Sequence, residues 1–227
     1  PGATNSMSDN VLRILDIARR EDIITNLLAY VATEDPEFRQ SLLNPLGLEA
    51  LAPKTWEIVR RPQTRKGVPD LVLTHAGRSP RIAILENKVT AEETGDQTTR
   101  YATPDCVSDL AERFGLEPEA VEPHFLYLTL MPTDEPQSER FTSISYRTLL
   151  SDRISSASSS NGSLADRLLK DLVDVLENFY LQAEPAPNDF VTDKMHNETG
   201  LGAGYLYFQH LFTEDRGGLS LPPGLRV

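Results

Sequence analysis

The sequence predicts an α/β domain: a central mixed β-sheet covered on both faces by α-helices. Three observations predict it. A helical apolar period opens the chain, three short runs of strand character follow one another closely, and helical and strand segments then alternate.

From Asn10 to about Thr33, Ile14, Ile17, Ile24, Leu27, Leu28 and Val31 recur at helical spacing, which predicts one long amphipathic helix with Ser8 or Asp9 as its N-cap. A shorter helix is expected over Pro36 to Leu43, before the Pro- and Gly-bearing stretch NPLGLEALAPKT. Strands are expected over Trp56 to Arg61, Val68 to Thr74 and Arg81 to Val89. Pro62, Gly67, Gly77 and Pro80 mark the turns between them, so the three form a meander. Helices follow at Thr94 to Ala102 and Val107 to Phe114, then strands at His124 to Leu130 and Phe141 to Tyr146. The polar run Ser155 to Ser163 is expected to be a mobile loop, and Leu164 to Gln182 a strong amphipathic helix. EPAPNDF is a break, Gly200 to Phe212 a plausible last helix, and the tail GGLSLPPGLRV has no convincing element, which leaves room for continuation beyond Val227. The expected division is a domain over 8–182 and a helical extension, or the start of a further region, over 183–227.

The chain has 227 residues, 39% of them hydrophobic and 25% charged, an ordinary balance for one globular domain. No apolar stretch reaches the length of a membrane span. The opening PGATNSM lacks the basic start and apolar middle of a secretory signal, and Met7 has the look of a natural start after a short added remnant. A single cysteine, Cys106, rules out an internal disulfide and a cysteine-cluster zinc site, and fits a cytoplasmic location. The net charge of −12 argues against a protein that coats nucleic acid by phosphate neutralisation, so any nucleic-acid contact must be local. His75, His124, His196 and His210 form no metal-ligand pattern. No P-loop, nucleophile elbow or dinucleotide turn is present. Tyr205, Tyr207 and Phe208 cluster near the end, where core, a partner contact or a dimer interface is the better expectation than base stacking.

The chemistry concentrates on the second and third strands. Alternation places Val68, Asp70 and Val72 on one face, and on the next strand Ile82, Ile84, Glu86 and Lys88 on one face with Ala83, Leu85, Asn87 and Val89 opposite. An apolar strand that ends in two charges needs a reason, because an unpaired buried charge costs several kcal/mol, on the order of 3–5. A hard divalent cation supplies one: Asp70, Glu86 and the backbone carbonyl of Asn87 make a half-shell for Mg²⁺, with Mn²⁺ as a substitute. Lys88 is then placed to orient a water, to deprotonate it if its own pKa is lowered, or to stabilise developing negative charge.

Pro69-Asp70, fifteen intervening residues and Glu86-Asn87-Lys88 resemble the PD-(D/E)XK signature of the restriction-endonuclease-like superfamily. The resemblance covers about Asn10 to Leu130 and implies a restriction-endonuclease-like core on the strand pair that superfamily uses. In many members an acidic residue of the first core helix reaches the metal site, and Glu21 stands in that place; the alternative is a helix-edge Glu beside Arg19 and Arg20. Gln97-Thr-Thr-Arg-Tyr101 looks like the Q-x-x-x-Y element found after the motif lysine in one branch. By resemblance Gln97 and Tyr101 would buttress the site or touch the substrate backbone, against an exposed Gln and a half-buried Tyr.

Arg60, Arg61, Arg65 and Lys66 make a basic turn just before Asp70, placed either to track a phosphate backbone or simply to be solvated. The function these features imply is Mg²⁺-dependent endonucleolytic hydrolysis of DNA, with DNA favoured over RNA. Asp70 and Glu86 would be ligands, Lys88 base or charge stabiliser, and Glu21 would assist. By analogy of fold, a bacterial anti-phage effector governed by a homodimer or a regulatory partner is a fitting role. The alternatives are a non-cleaving nuclease-fold module that binds a protein or nucleic acid, and a structural domain in which Glu86 and Lys88 form only an ion pair.

Overall fold

The computed structural model describes residues 10–14, 20–48, 51–52, 55–89, 93, 95–130, 135–150 and 163–176. The chain divides into two compact units, Pro1–Val175 and Leu176–Val227, and the sheet with its covering helices belongs to the first. The expectations for Ser8, Asp9, residues 155–162, the end of the Leu164 helix, the 182/183 boundary, His196, Gly200 to Phe212 and the terminal aromatic cluster lie outside the described residues.

Five strands form one mixed sheet in sequence order: β1 (Trp56–Arg60), β2 (Leu71–His75), β3 (Arg81–Lys88), β4 (Glu122–Thr129) and β5 (Thr142–Ser145). β1, β2 and β3 pair antiparallel, as the short turns between them require, whereas β3 and β4, and β4 and β5, pair parallel. A parallel return needs a long crossover. Between β3 and β4 that crossover contains α4 (Gln97–Tyr101) and α5 (Pro104–Arg113). In β3 every residue after Arg81 is buried, which identifies it as a central strand covered on both faces.

One face carries α5. Its Cys106, Val107, Leu110 and Ala111 pack with Val72, Ile82, Ile84, Phe125 and Tyr127. Thr103 caps the helix by accepting from the Cys106 N–H, with Pro104 in the first turn. The other face carries α2 (Glu21–Glu34), which packs on β1 and β3 and against α3 (Pro36–Leu43). Asp35 ends α2 and starts α3, its carboxylate accepting from the Glu37 and Phe38 N–H groups. Residues 146–150 are helical (α6), and α7 (Leu164–Val175) buries Ala165, Leu169, Leu172 and Val173 as it packs on α2.

The long first helix is not continuous. A short α1 (Val11–Ile14) precedes α2, and Arg20 between them is extended, with φ −94° and ψ 108°. The Arg20 carbonyl accepts from Ile23 and Ile24, so a new helix starts there, with Glu21 and Asp22 in its first turn where the helix dipole favours negative charge. Asn10 precedes α1: its side chain accepts from the Leu12 N–H and donates to the Asp171 carbonyl and the Asp174 carboxylate, tying α1 to α7. Among the described residues, no helix is long and apolar enough to cross a membrane.

Candidate active site

The fifteen-residue spacing is a property of the β2–β3 hairpin. Leu71 pairs with Leu85, and one further step along the same antiparallel register sets Asp70 opposite Glu86. β2 begins at Leu71 rather than at Val68. Pro69 has no N–H to give the ladder, and the preceding residues close a tight turn in which Thr64 and Gly67 exchange backbone hydrogen bonds. Asp70 is held at both ends: its carbonyl accepts from the Arg61 N–H at 3.0 Å, and its Oδ2 accepts from the Asn87 N–H at 2.9 Å.

Glu86 is 2% exposed and Lys88 6%. The Lys88 ammonium donates to Glu86 Oε1 at 2.9 Å and to Gln97 Oε1 at 2.9 Å. The second Glu86 oxygen, Oε2, is buried with no hydrogen-bond partner among the described residues, an arrangement native interiors avoid. Burial, then the neighbouring Asp70, pushes the Glu86 carboxyl up to about 7 despite Lys88. Asp70 is raised as well, by burial first, although the Asn87 N–H and Lys88 favour its charged form. Burial works against the Lys88 charge, but Glu86, Glu21 and Asp70 together hold it above the usual lysine range. Among these carboxylates Lys88 is held in its charged form.

The α2 face completes the strand end. Glu21, in the first turn of α2, accepts the Val89 N–H on Oε1 at 2.9 Å, and its charge acts on both Asp70 and Lys88. One turn on, Thr25 Oγ1 accepts from Asn87 Nδ2 at 3.0 Å, while the Tyr146 hydroxyl donates to Asn87 Oδ1 at 2.5 Å. Asn87 is wholly buried. The Tyr146 hydroxyl is held well above its ordinary pKa by burial and then by the charges of Asp70 and Glu21.

On the α5 face, Gln97 and Tyr101 meet as their spacing predicts. Gln97 bonds both Lys88 and Tyr101, and Tyr101 is buried, not half-buried. Its ring lies over Gly67, where φ is +137° and an added Cβ would stand 3.0 Å from Tyr101 Cε1. Glu93 accepts from the Thr98 N–H at 2.6 Å and from the Gln137 N–H at 2.9 Å, which fixes the start of α4, and its charge also raises Glu86.

The basic turn is not a continuous cationic strip. Arg65 is paired with Asp109 and Lys66 with Asp105 at 2.9 Å, both acids projecting from α5, and Arg60 reaches Asn26 at 3.4 Å. Arg61 is exposed, acts electrostatically on Asp70, and adopts φ +46°, the left-handed region that non-glycine residues rarely occupy. His75 lies tilted against Trp56 at the end of β2 away from Asp70, and His124 lies beside Glu122 at the end of β4 away from the Lys88 register.

No protein-family model matches the chain, and no curated protein matches it. Among the described residues, no three His, Cys, Asp or Glu side chains converge as a self-sufficient metal group. A cation at this strand end would be held by Asp70, Glu86 and a backbone carbonyl such as that of Asn87, with water filling the remaining positions, the hard-oxygen set that Mg²⁺ prefers. The orphaned Glu86 Oε2 and the mutual repulsion of Asp70 and Glu86 fit such an ion. Three contributors were not visible as site residues in the sequence: Thr25, Glu93 and Tyr146. Thr25 alone had a usable signal, four residues after Glu21 on the same helical face.

Proposed function

We propose that this chain is a Mg²⁺-dependent nuclease of the PD-(D/E)XK kind that hydrolyses phosphodiester bonds, with DNA as the favoured substrate. The observation that carries the reading is Glu86: a buried carboxylate with one oxygen on Lys88 and the other without a partner, opposite a second carboxylate. The order of an acidic first helix, a three-strand meander, a helical crossover and a parallel strand supports a restriction-endonuclease-like core.

A divalent cation bound by Asp70 and Glu86 supplies Lewis-acid polarisation of the scissile phosphate and lowers the pKa of a water. The protein's own residues do the rest. Asp70 is kept in place by the Asn87 N–H, and Lys88 offers a fixed positive charge to the negative charge that develops on the phosphate. Gln97 gives the Lys88 ammonium a second acceptor besides Glu86, and Tyr101 hydrogen-bonds Gln97. Arg61 is an exposed cation whose backbone N–H bonds the Asp70 carbonyl, and it is suited to a substrate phosphate.

The test is incubation of supercoiled, linear duplex and single-stranded DNA with Mg²⁺ or Mn²⁺, alongside Asp70→Ala, Lys88→Ala and EDTA. Cleavage lost in all three controls supports the nuclease. Metal-dependent cleavage that survives both substitutions overturns it. An inactive wild type that binds no Mn²⁺ favours a nuclease-fold binding module.

A further inference from the structure

We propose that Thr25 and Tyr146 are positioning residues that act through Asn87 to hold Asp70 beside Glu86, an inference that rests on the nuclease reading. Asn87 lies between Glu86 and Lys88 in β3, and its side chain leaves the sheet on the face opposite theirs, among Ala83, Leu85 and Val89. An apolar side chain would fill that buried position at lower cost, because a carboxamide there demands partners for both of its ends. Both ends have them. Thr25 from α2 accepts from Nδ2, and Tyr146 from α6 donates to Oδ1, all three residues being almost completely buried.

Held at both ends, by α2 and by α6, the side chain is fixed in place. A fixed side chain fixes the peptide to which it belongs. That peptide's N–H is the donor to Asp70 Oδ2. The hydroxyls of Thr25 and Tyr146 are thus linked, through one residue, to the placement of a carboxylate on the other face of the sheet. Outer-shell partners of this kind typically change metal affinity about 10- to 100-fold when removed.

The variants are Thr25→Val and Tyr146→Phe, which delete a hydroxyl with almost no change of shape, the two combined, and Thr25→Ser, which restores the acceptor. Mn²⁺ affinity by calorimetry, kcat and KM for DNA, and thermal unfolding are measured for each. Each single hydroxyl deletion is expected to weaken Mn²⁺ binding about 10-fold and lower kcat with KM little changed. The double variant should be scarcely worse than the poorer single, since either loss frees the same amide, and Thr25→Ser should recover most of the wild-type values. Reduced unfolding temperature with unaltered Mn²⁺ affinity, or strictly additive effects, would overturn the proposal. Wild-type protein that neither binds Mn²⁺ nor cleaves sinks it together with the nuclease reading, whereas a cleaving wild type matched by both singles sinks it alone.

Discussion

Lys88 and Glu86 stand two residues apart on β3, and their charged ends meet at 2.9 Å with both side chains almost fully enclosed. Removing one partner of a buried pair strands the other, at a cost of about 3–5 kcal/mol. Lys88→Ala is therefore expected to lower the unfolding temperature of the metal-free protein sharply, and Mn²⁺ to restore much of it by replacing the lost positive charge. Thermal scans with and without Mn²⁺ check this; a variant as stable as wild type without metal contradicts it.

The raised Glu86 carboxyl makes stability depend on pH. Its folded value of about 7 lies above the ordinary 4.5, so the folded state binds that proton more tightly than the unfolded chain does. The stabilisation is complete below about pH 4.5 and is lost as pH rises through 7, amounting to about 3 kcal/mol. Asp70 shifts in the same direction and adds to the slope, whereas Lys88, held above its usual range, stays charged throughout the window. Metal-free wild type should thus unfold more easily at pH 8 than at pH 5, apart from other groups, and Glu86→Gln should flatten that difference. Mn²⁺ affinity should rise over the same interval. Denaturant titrations across pH for the two proteins measure it.

Arg61 combines an exposed cation with a strained backbone. At φ +46° a side chain costs about 1–2 kcal/mol. Arg61→Gly should raise the unfolding temperature while weakening DNA binding and reducing the salt dependence of binding by about one counterion. Arg61→Ala should show the same binding loss without the gain in stability. Binding isotherms at several salt concentrations separate the two effects, and unaltered DNA affinity in both variants rules out a phosphate contact.

Asp105 and Asp109 occupy the charges of Lys66 and Arg65. Substituting both with Asn should free two cations near the site, giving tighter and more salt-sensitive DNA binding with little change in unfolding temperature. Binding that is no tighter would mean that this side of the turn does not face the substrate.

What the sequence made legible was local. Asp70 and Glu86 could be placed on neighbouring strands because alternation and short turns specify a meander, and Gln97 and Tyr101 on one helix face because they lie four apart. The break at Arg20 was hidden because the apolar positions of the sequence keep helical phase from Ile14 to Leu28, although the Arg20 backbone is extended. Arg65 and Lys66 formed an apparent basic patch because their acidic partners lie about forty residues further along, on α5. Tyr146 carried no motif at all, and its role follows only from a tertiary contact 59 residues away in the chain.

Those separations have a consequence for the life of the molecule. The bonds that assemble the strand end join Glu21 to Val89, Thr25 to Asn87 and Asn87 to Tyr146. A chain emerging from the ribosome carries the whole signature once Lys88 is made, but it lacks the last of these bonds until Tyr146 has also emerged and docked. The strand end therefore closes only after all five strands have been made, because Tyr146 directly follows β5.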